Sequence, residues 1–231
     1  MGSIGSNLQD VRQRIARACQ SAGRSENSVT LLAVSKTFPG DAVRAAHAAG
    51  QQAFGENYVQ EALAKIAALA DLRPQLQWHL IGPLQSNKTR PVAEAFDWVH
   101  SVDRLKIAQR LAEQRPSGLP PLQLCLQVNI SGEASKSGLL PAEVPAVAAA
   151  VAALPPERVR LRGLMAIPEP AADLEAQRRP HRALRELLNA LRDAHGLELD
   201  TLSMGMSADL EAAVLEGATL VRVGTAIFGA R

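Results

Sequence analysis

Short apolar runs rich in β-branched residues alternate along this chain with longer stretches rich in alanine and leucine. This rhythm restricts the fold more than any other feature, because the short runs read as strands and the longer stretches as helices. Eight strands are predicted, at 29–34, 52–54, 76–81, 98–101, 122–130, 161–166, 199–203 and 220–223. Seven helices are predicted between them, at 41–49, 59–70, 88–95, 105–114, 141–153, 171–195 and 208–216.

Eight strands, with a helix after each of the first seven, in 231 residues fit the arithmetic of a closed barrel. Several strands are apolar throughout, as parallel strands buried on both faces are. A doubly wound open sheet is the competing architecture, but with eight strands it usually needs a longer chain or a second domain. No linker or composition shift marks a boundary. The prediction is therefore a single α/β domain over residues 1–231, a (β/α)8 TIM barrel with an extra N-terminal helix.

The ends of the helices carry further signals. The extra helix is predicted to have Asn7 as its N-cap and to end at Gly23. Pro180 lies within the long stretch 171–195 and is expected to kink or split that helix. Glycines suited to the positions after helix ends follow three other stretches, namely Gly50, Gly196 and Gly217.

The composition excludes several classes of protein. The 25 basic and 23 acidic residues leave a net charge of +2, which indicates neither nucleic acid nor an anionic membrane as a partner. The aromatic residues (Trp 2, Tyr 1, Phe 4) are too few for a base-stacking surface. Cys19 and Cys125 cannot form a disulfide framework, and no stretch approaches the roughly 20 apolar residues of a membrane span. A cytoplasmic protein is expected.

The loops after the last two strands have the features of an anion site. In a barrel of this kind, function lies at the C-terminal ends of the strands, and phosphate often binds after strands seven and eight. Gly205 and Gly224 let the backbone approach a ligand closely, and Ser207 is expected at the start of a helix. The alternative is that Ser207 is a plain N-cap and the glycines are turn residues.

Two cationic residues at strand ends indicate what such an anion could belong to. Lys36 follows the first strand and either extends its amine to solvent or condenses with an aldehyde or ketone at the barrel mouth. A lysine beside a phosphate site is typical of a sugar-phosphate aldolase or a pyridoxal 5′-phosphate (PLP) protein. Arg222 would lie under a ring held by that phosphate and would leave a pyridine nitrogen neutral. The alternative for Arg222 is an outward salt bridge.

Other polar residues at the strand ends give weaker signals. His79, within the third strand, is expected to be a hydrogen-bonded core histidine. Asn57 would bond a ring hydroxyl or close the loop after the second strand. Lys136 lies in a long loop after the fifth strand, within reach of the mouth, and is expected on the surface. No metal-ligand spacing, P-loop or dinucleotide fingerprint is present in the sequence.

Five ordered motifs resemble the pyridoxal-phosphate homeostasis proteins. They are AVSKT at 33–37, FGENYVQE at 54–61, WHLIGPLQSNK at 78–88, LSMGMSAD at 202–209 and RVGTAIFGAR at 222–231. The resemblance spans nearly the whole chain and implies a fold-type III PLP-binding barrel like that of bacterial alanine racemase. It also implies that Lys36 holds PLP as a Schiff base. The other implied contacts are Asn57 beside the cofactor, Arg222 at the ring nitrogen, and Ser207, Gly224 and Thr225 at the phosphate.

The same resemblance implies a role in PLP (vitamin B6) homeostasis without robust turnover, and hence a carrier rather than an enzyme. The expected partners are PLP and, for hand-over, PLP-dependent apo-enzymes, with no nucleic acid or membrane. The expected state is a monomer or weak dimer. The sequence departs from the family pattern at Phe38, where many members have lysine, at Leu80, and at Arg231, where relatives often continue. A second PLP-handling role for such lysines is therefore not expected here.

Two enzymatic alternatives remain open from the sequence. A small PLP enzyme such as an amino-acid racemase would need a second acid/base on the opposite face of the cofactor. Alanine racemase obtains it from an additional β domain, and the only tyrosine here, Tyr58, follows the second strand. A class I aldolase would need an acid/base network around Lys36 that the strand ends do not supply.

Overall fold

A computed structural model describes residues 2–132 and 137–229 of the chain. Its strands all run parallel and close into a barrel in sequential order, with the first strand paired to the last. They are β1 (Thr30–Val34), β2 (Ala53–Glu56), β3 (Gln77–Leu80), β4 (Trp98–Val102), β5 (Leu122–Gln127), β6 (Val159–Met165), β7 (Thr201–Ser203) and β8 (Leu220–Val223). The predicted (β/α)8 barrel is confirmed. The main shifts are that β5 ends earlier than predicted and β2 extends further.

Helices surround the barrel along the described part of the chain. They are α1 (Ile4–Ser21), α2 (Gly40–Ala48), α3 (Val59–Ala68), α4 (Thr89–Ala95), α5 (Leu105–Gln114), α6 (Val144–Ala152), α7 (Leu174–His195), α8 (Leu210–Leu215) and α9 (Thr225–Phe228). Short 3₁₀ segments cover Glu26–Ser28, Ala70–Gln75 and Ser86–Lys88. No helix in 2–132 or 137–229 is long and apolar enough to cross a bilayer.

The start of α1 differs from the prediction. Ser3, not Asn7, is the N-cap, and its side chain accepts a hydrogen bond from the Ser6 amide. Asn7 lies inside the helix and donates its side-chain amide to the Ile227 carbonyl oxygen at 2.9 Å. The prediction was wrong because this long-range contact, which ties α1 to α9, uses the side chain that local sequence suggested as a cap.

Of the two outcomes expected at Pro180, a kink or a split of the helix, the split is excluded. α7 runs as one element over Leu174–His195 with Pro180 inside it, and ends at Gly196 in the left-handed conformation (φ 61°). Proline removes one helical hydrogen bond, a local cost of about 3 kcal/mol. Beyond it, α7 buries Leu184, Leu188 and Leu191 against the rest of the molecule. This packing keeps the chain helical on both sides of the proline.

The strands are buried on both faces, which explains why they read as apolar runs. One face packs against the helices and includes Phe54 and Trp78, whose rings lie 5.9 Å apart. Leu32, Ala53 and Leu220 form a separate small cluster. Because side chains alternate along a strand, Leu220 and Arg222 share one face of β8. Arg222 therefore lies on the same face as this small cluster and nearer to the C-terminal end of the barrel.

Candidate functional site

Barrel closure places the six sequence-predicted site residues on four neighbouring strands. Lys36 follows β1 and Asn57 follows β2, and the remaining four lie in or directly after β7 and β8. β1 is paired with β2 on one side and with β8 on the other, and β8 is paired with β7. The structure thus gathers these residues along one arc of the C-terminal end of the barrel.

Lys36 is a half-buried residue on this arc. It forms no hydrogen bond or ion pair with any residue in the described ranges. The next residue, Thr37, has φ 65°, and it is the one non-glycine residue with positive φ in the described chain. A β-branched residue in the left-handed region is strained, by about 1–3 kcal/mol. The strained backbone beside this amine makes Lys36 a candidate functional position.

A buried ion cluster lies beside the Lys36 segment. The Lys65 ammonium, 4% exposed, donates to Glu56 Oε1 at 2.6 Å and to Glu61 Oε1 at 3.1 Å. It also donates to the Ser35 carbonyl oxygen at 2.8 Å. Burial raises the pKa of Glu56, and the hydrogen bond from Lys65 opposes that rise. Thr37 donates its amide to Glu61 Oε1 at 2.5 Å.

Arg222 points into the barrel and not outward to a helix, which excludes the salt-bridge alternative for the described residues. Its Nη1 donates to the Ser203 carbonyl oxygen at 2.6 Å and to Ser203 Oγ at 2.7 Å, and Nη2 donates to the Ala166 carbonyl oxygen at 2.8 Å. Burial lowers the pKa of Arg222 to about 10. The guanidinium therefore remains protonated at neutral pH and lies beneath the mouth without a carboxylate bound to it.

Two buried histidines extend from Arg222 across the barrel interior. His100 Nδ1 lies 2.8 Å from Ser203 Oγ, and His100 Nε2 lies 2.9 Å from His79 Nδ1. Burial lowers the pKa of His79 to about 3. Burial, followed by the proximity of His79 and of Arg222, lowers the pKa of His100 well below its usual value. Both imidazoles are therefore neutral at pH 7, and His79 is the core histidine that the sequence predicted.

The loops after β7 and β8 present unused hydrogen-bond donors. The hydroxyls of Ser207 and Thr225 and the backbone amides of both residues have no hydrogen-bond partner in the described part of the chain. Ser207 does not begin the helix, as the sequence suggested, because α8 starts at Leu210 and Asp209 is its N-cap residue. Gly224 lies so close to β1 that an added Cβ would be 3.2 Å from the Val34 carbonyl oxygen.

Asn57 contributes to a cavity at the same end of the barrel. The cavity has a volume of about 290 Å³, and Gly82, Asn129 and Ile167 also line it. The Asn57 Oδ1 atom is buried and has no hydrogen-bond partner among the described residues. Asn57 is thus an acceptor available to a bound molecule. The loop residue Lys136 lies outside the described residues.

Sequence reasoning did not single out Glu56, Lys65 or His100. Glu56 lies in a quoted motif, and Glu61 with Lys65 forms an i, i+4 pair on α3, a recognisable signal of interaction. That signal does not show burial, which follows from packing of α3 on the barrel. His100 gave no signal, because its partners lie on β3 and β7.

The fold and the strand-end site place the protein in the class of barrels built like the N-terminal domain of alanine racemase, and the model of that family matches residues 6–231. A pyridoxal phosphate homeostasis protein of Pseudomonas aeruginosa is 65% identical over 231 residues, covering 100% of this chain and 97% of the relative. One from Escherichia coli K12 is 53% identical over 232 residues, covering 100% and 98%. The chain belongs to the pyridoxal phosphate homeostasis protein family.

Solved structures agree with this assignment. PipY of Synechococcus elongatus without PLP matches with a TM-score of 0.87 at 42% identity, covering 98% of this chain and 100% of that chain. PipY with PLP bound matches with a TM-score of 0.84 at 41% identity and the same coverage. An alanine racemase of Corynebacterium glutamicum has a TM-score of 0.62 at 22% identity, covering 95% of this chain and 60% of that chain. This last likeness shows a shared fold.

Proposed function

We propose that this protein binds PLP as a Schiff base on Lys36 and acts as an intracellular PLP carrier without robust catalysis. The observation that carries the proposal is the half-buried residue Lys36, whose amine has no partner in the described ranges, on the arc that also holds the unused donors of the loops after β7 and β8. The condensation joins Nζ to the aldehyde carbon and releases the aldehyde oxygen as water. The PLP-bound structure of PipY supports the choice of ligand.

The phosphate would be held by the loops after β7 and β8. Their free donors are the hydroxyls and amides of Ser207 and Thr225, and hydrogen bonds from such donors to a charged oxygen are stronger than those to a neutral one. Gly224 allows the backbone after β8 to lie close to β1, so Thr225 and Lys36 follow neighbouring strands, with Ser207 one strand further along. PLP carries its aldehyde and its phosphate ester on adjacent ring positions, which suits an amine and phosphate donors that lie close together at one end of the barrel.

Arg222 supports a carrier more than a catalyst. PLP supplies an electron sink when its ring nitrogen is protonated. An arginine facing that nitrogen donates a hydrogen bond and gives up no proton, so the nitrogen stays neutral and the sink is weak. The Arg222 guanidinium is fixed by Ser203 and the Ala166 carbonyl oxygen, which makes it a rigid donor beneath the proposed ring.

Four other acid/base groups at or below the mouth have partners within the protein. Glu56 is bonded to Lys65 and to the Ser35 hydroxyl, and Asp209 is bonded to His181. His79 and His100 are buried and bonded to each other. Lys36 is therefore the group best placed to act on a bound aldehyde, and the engagement of these four groups within the protein favours storage over racemisation.

An absorption measurement tests the proposal. Addition of PLP to the purified protein is expected to give the visible band of a protonated Schiff base, and borohydride is expected to attach the cofactor irreversibly to Lys36. Lys36→Ala should abolish both. Lys88→Ala is the matched control, because Lys88 lies outside the proposed site, in a surface 3₁₀ segment. A band of equal strength in Lys36→Ala would refute the proposed anchor.

A turnover assay separates the carrier from a racemase. PLP-loaded protein incubated with each common amino acid is expected to produce no enantiomer or keto acid beyond the level of free PLP. Rapid turnover that disappears in Lys36→Ala would replace the carrier with an enzyme.

Transfer of PLP from the loaded protein to an apo-enzyme, measured as recovered activity of that enzyme, tests whether PLP-dependent apo-enzymes are partners of this protein.

A further inference from the structure

The strongest unassigned feature is the buried ion cluster formed by Lys65, Glu56 and Glu61. The three donors of the Lys65 ammonium have three acceptors, namely Glu56 Oε1, Glu61 Oε1 and the Ser35 carbonyl oxygen. Lys65 is thus saturated and fixed, and it cannot exchange partners with a ligand without breaking an existing bond. Its side chain and that of Glu56 are 4% and 0% exposed.

This cluster holds the backbone on both sides of Lys36. On the N-terminal side, Lys65 bonds the Ser35 carbonyl oxygen, and the Ser35 hydroxyl donates to Glu56 Oε1 at 2.6 Å. On the C-terminal side, the Thr37 amide donates to Glu61 Oε1 at 2.5 Å. The two carboxylates are joined through Lys65, so both sides of the Lys36 peptide unit are tied to one ammonium group.

Glu61 makes the contact that matters most for backbone geometry. Thr37 has φ 65°, a conformation that costs a β-branched residue free energy and persists only where surrounding contacts hold it. The bond from the Thr37 amide to a carboxylate is such a contact, and charge-assisted bonds of this kind are stronger than neutral ones. Glu61 is itself held by Lys65 at i+4 on α3.

We propose that Lys65, acting through Glu56 and Glu61, is a positioning residue that holds the 35–37 backbone so that the Lys36 amine is presented to the carbonyl ligand. The inference rests on the proposed function, in which that ligand is PLP. Loss of the ammonium leaves two carboxylates without their shared counter-ion. Glu61, whose side chain is 32% exposed, then turns to solvent and releases the Thr37 amide.

Hydrogen exchange of the ligand-free protein tests the backbone part. In Glu61→Gln, the amide oxygen of the new side chain still accepts from Thr37, so exchange at the Thr37 amide is expected to stay within about threefold of wild type. In Glu61→Ala the acceptor is lost, and exchange is expected to be at least about tenfold faster. Equal exchange rates of the Thr37 amide in the two variants would overturn the proposal. Both variants are expected to fold, because the Glu61 side chain is 32% exposed and its replacement leaves no fully buried cavity.

The ligand part is tested with PLP itself. Lys65→Met is expected to slow Schiff-base formation at Lys36 and reduce the borohydride-trapped fraction by at least about tenfold. The double variant Lys65→Met/Glu61→Gln, which restores a neutral acceptor for Thr37, should recover part of that loss. Arg115→Met is the matched control, because Arg115 is also a buried cation but bonds the Ala93, Phe96 and Pro120 carbonyl oxygens. Arg115→Met should lower the Tm and leave trapping unchanged.

The outcomes separate the two proposals. If wild-type protein traps no PLP, the proposed function fails, while the exchange experiment still decides whether the cluster fixes the Lys36 backbone. If wild type traps PLP and Lys65→Met and Arg115→Met lower the Tm without changing trapping, the cluster is structural and the positioning role is overturned. If Lys65→Met does not fold, the Glu61→Gln and Glu61→Ala pair, assayed for trapping, gives the same decision.

Discussion

Ser203 and Ser207 lie four residues apart and have opposite environments. The Ser203 hydroxyl is buried between His100 and Arg222, at 2.8 and 2.7 Å. The Ser207 hydroxyl has no partner in the described part of the chain. A hydroxyl with two buried partners stabilises the fold, whereas one without partners at a strand end is available to a ligand. The sequence alone does not distinguish these two serines.

Substitution of each serine by alanine should separate stability from binding. Ser203→Ala leaves a guanidinium donor and an imidazole without their shared partner and is expected to cost about 1–3 kcal/mol. A loss of 1 kcal/mol lowers the Tm by about 2–4 °C in a domain of this size. Ser207→Ala is expected to leave the Tm unchanged and to weaken PLP binding about tenfold. Thermal denaturation without ligand and PLP titration measure the two effects.

The reverse pattern would contradict this division. A lower Tm in Ser207→Ala would show that its hydroxyl serves the fold, and unchanged PLP affinity would remove Ser207 from the proposed phosphate contacts.

At the level of elements, the connection from β7 to α8 is shaped by Gly205. This glycine has φ 93°, and an added Cβ would lie 2.5 Å from the Ala213 Cβ on α8. Its carbonyl oxygen accepts from the Arg222 amide at 2.9 Å, which extends the β7–β8 pairing by one step into the loop. Because Gly205 has no side chain, the loop that carries Ser207 can turn tightly after β7, and α8 can pack close to that turn.

Gly205→Ala is expected to destabilise the protein by about 2–4 kcal/mol, because it adds left-handed strain and a clash between two Cβ atoms. Urea denaturation measures this loss. Gly118→Ala is the matched control, since Gly118 has an ordinary φ and no heavy atom within 4 Å of its added Cβ. Similar losses in both variants would mean that the close packing at Gly205 is unimportant.

At the level of the whole molecule, Glu216 links α7 to the segment after α8. Its carboxylate is 1% exposed and binds Arg178, Arg182 and Arg185 at 2.7, 3.0 and 2.7 Å. Burial opposes ionisation of Glu216, but hydrogen bonds from Arg182 and Arg178 outweigh it and lower its pKa. A lowered native pKa stabilises the fold above the ordinary value of 4.5, and this stabilisation is lost as the pH falls through the native pKa.

Glu216→Gln is therefore expected to lower the free energy of unfolding at pH 7 by about 1–3 kcal/mol, a range that allows for solvent around the arginines. The difference from wild type should shrink as the pH is lowered to about 3.5. Urea denaturation between pH 7 and about pH 3.5 measures the difference in unfolding free energy between Glu216→Gln and wild type. Glu94→Gln is the control, because Glu94 is exposed. If the difference in unfolding free energy does not change with pH, the loss comes from altered packing rather than from the lost charge.

The sequence by itself determined the alternation of strands and helices, and with it the (β/α)8 barrel and the strand ends at which Lys36, Asn57 and Ser207 lie. These follow from local patterns, since period and composition are properties of neighbouring residues. The Asn7 cap was wrong, and the helix is not split at Pro180, because contacts remote in sequence outweighed local preference at both positions.

Only the tertiary structure decided which side chains have partners. His100 meets Ser203 across 103 positions of sequence, Lys65 reaches the Ser35 carbonyl oxygen from α3, and Arg222 turns inward to Ser203. These contacts form only when the strands and helices assemble into the closed barrel, and a polar group buried by that closure must find its partner among residues far away in the chain. The same closure leaves the Lys36 amine without a partner in the described residues, which no local pattern could reveal.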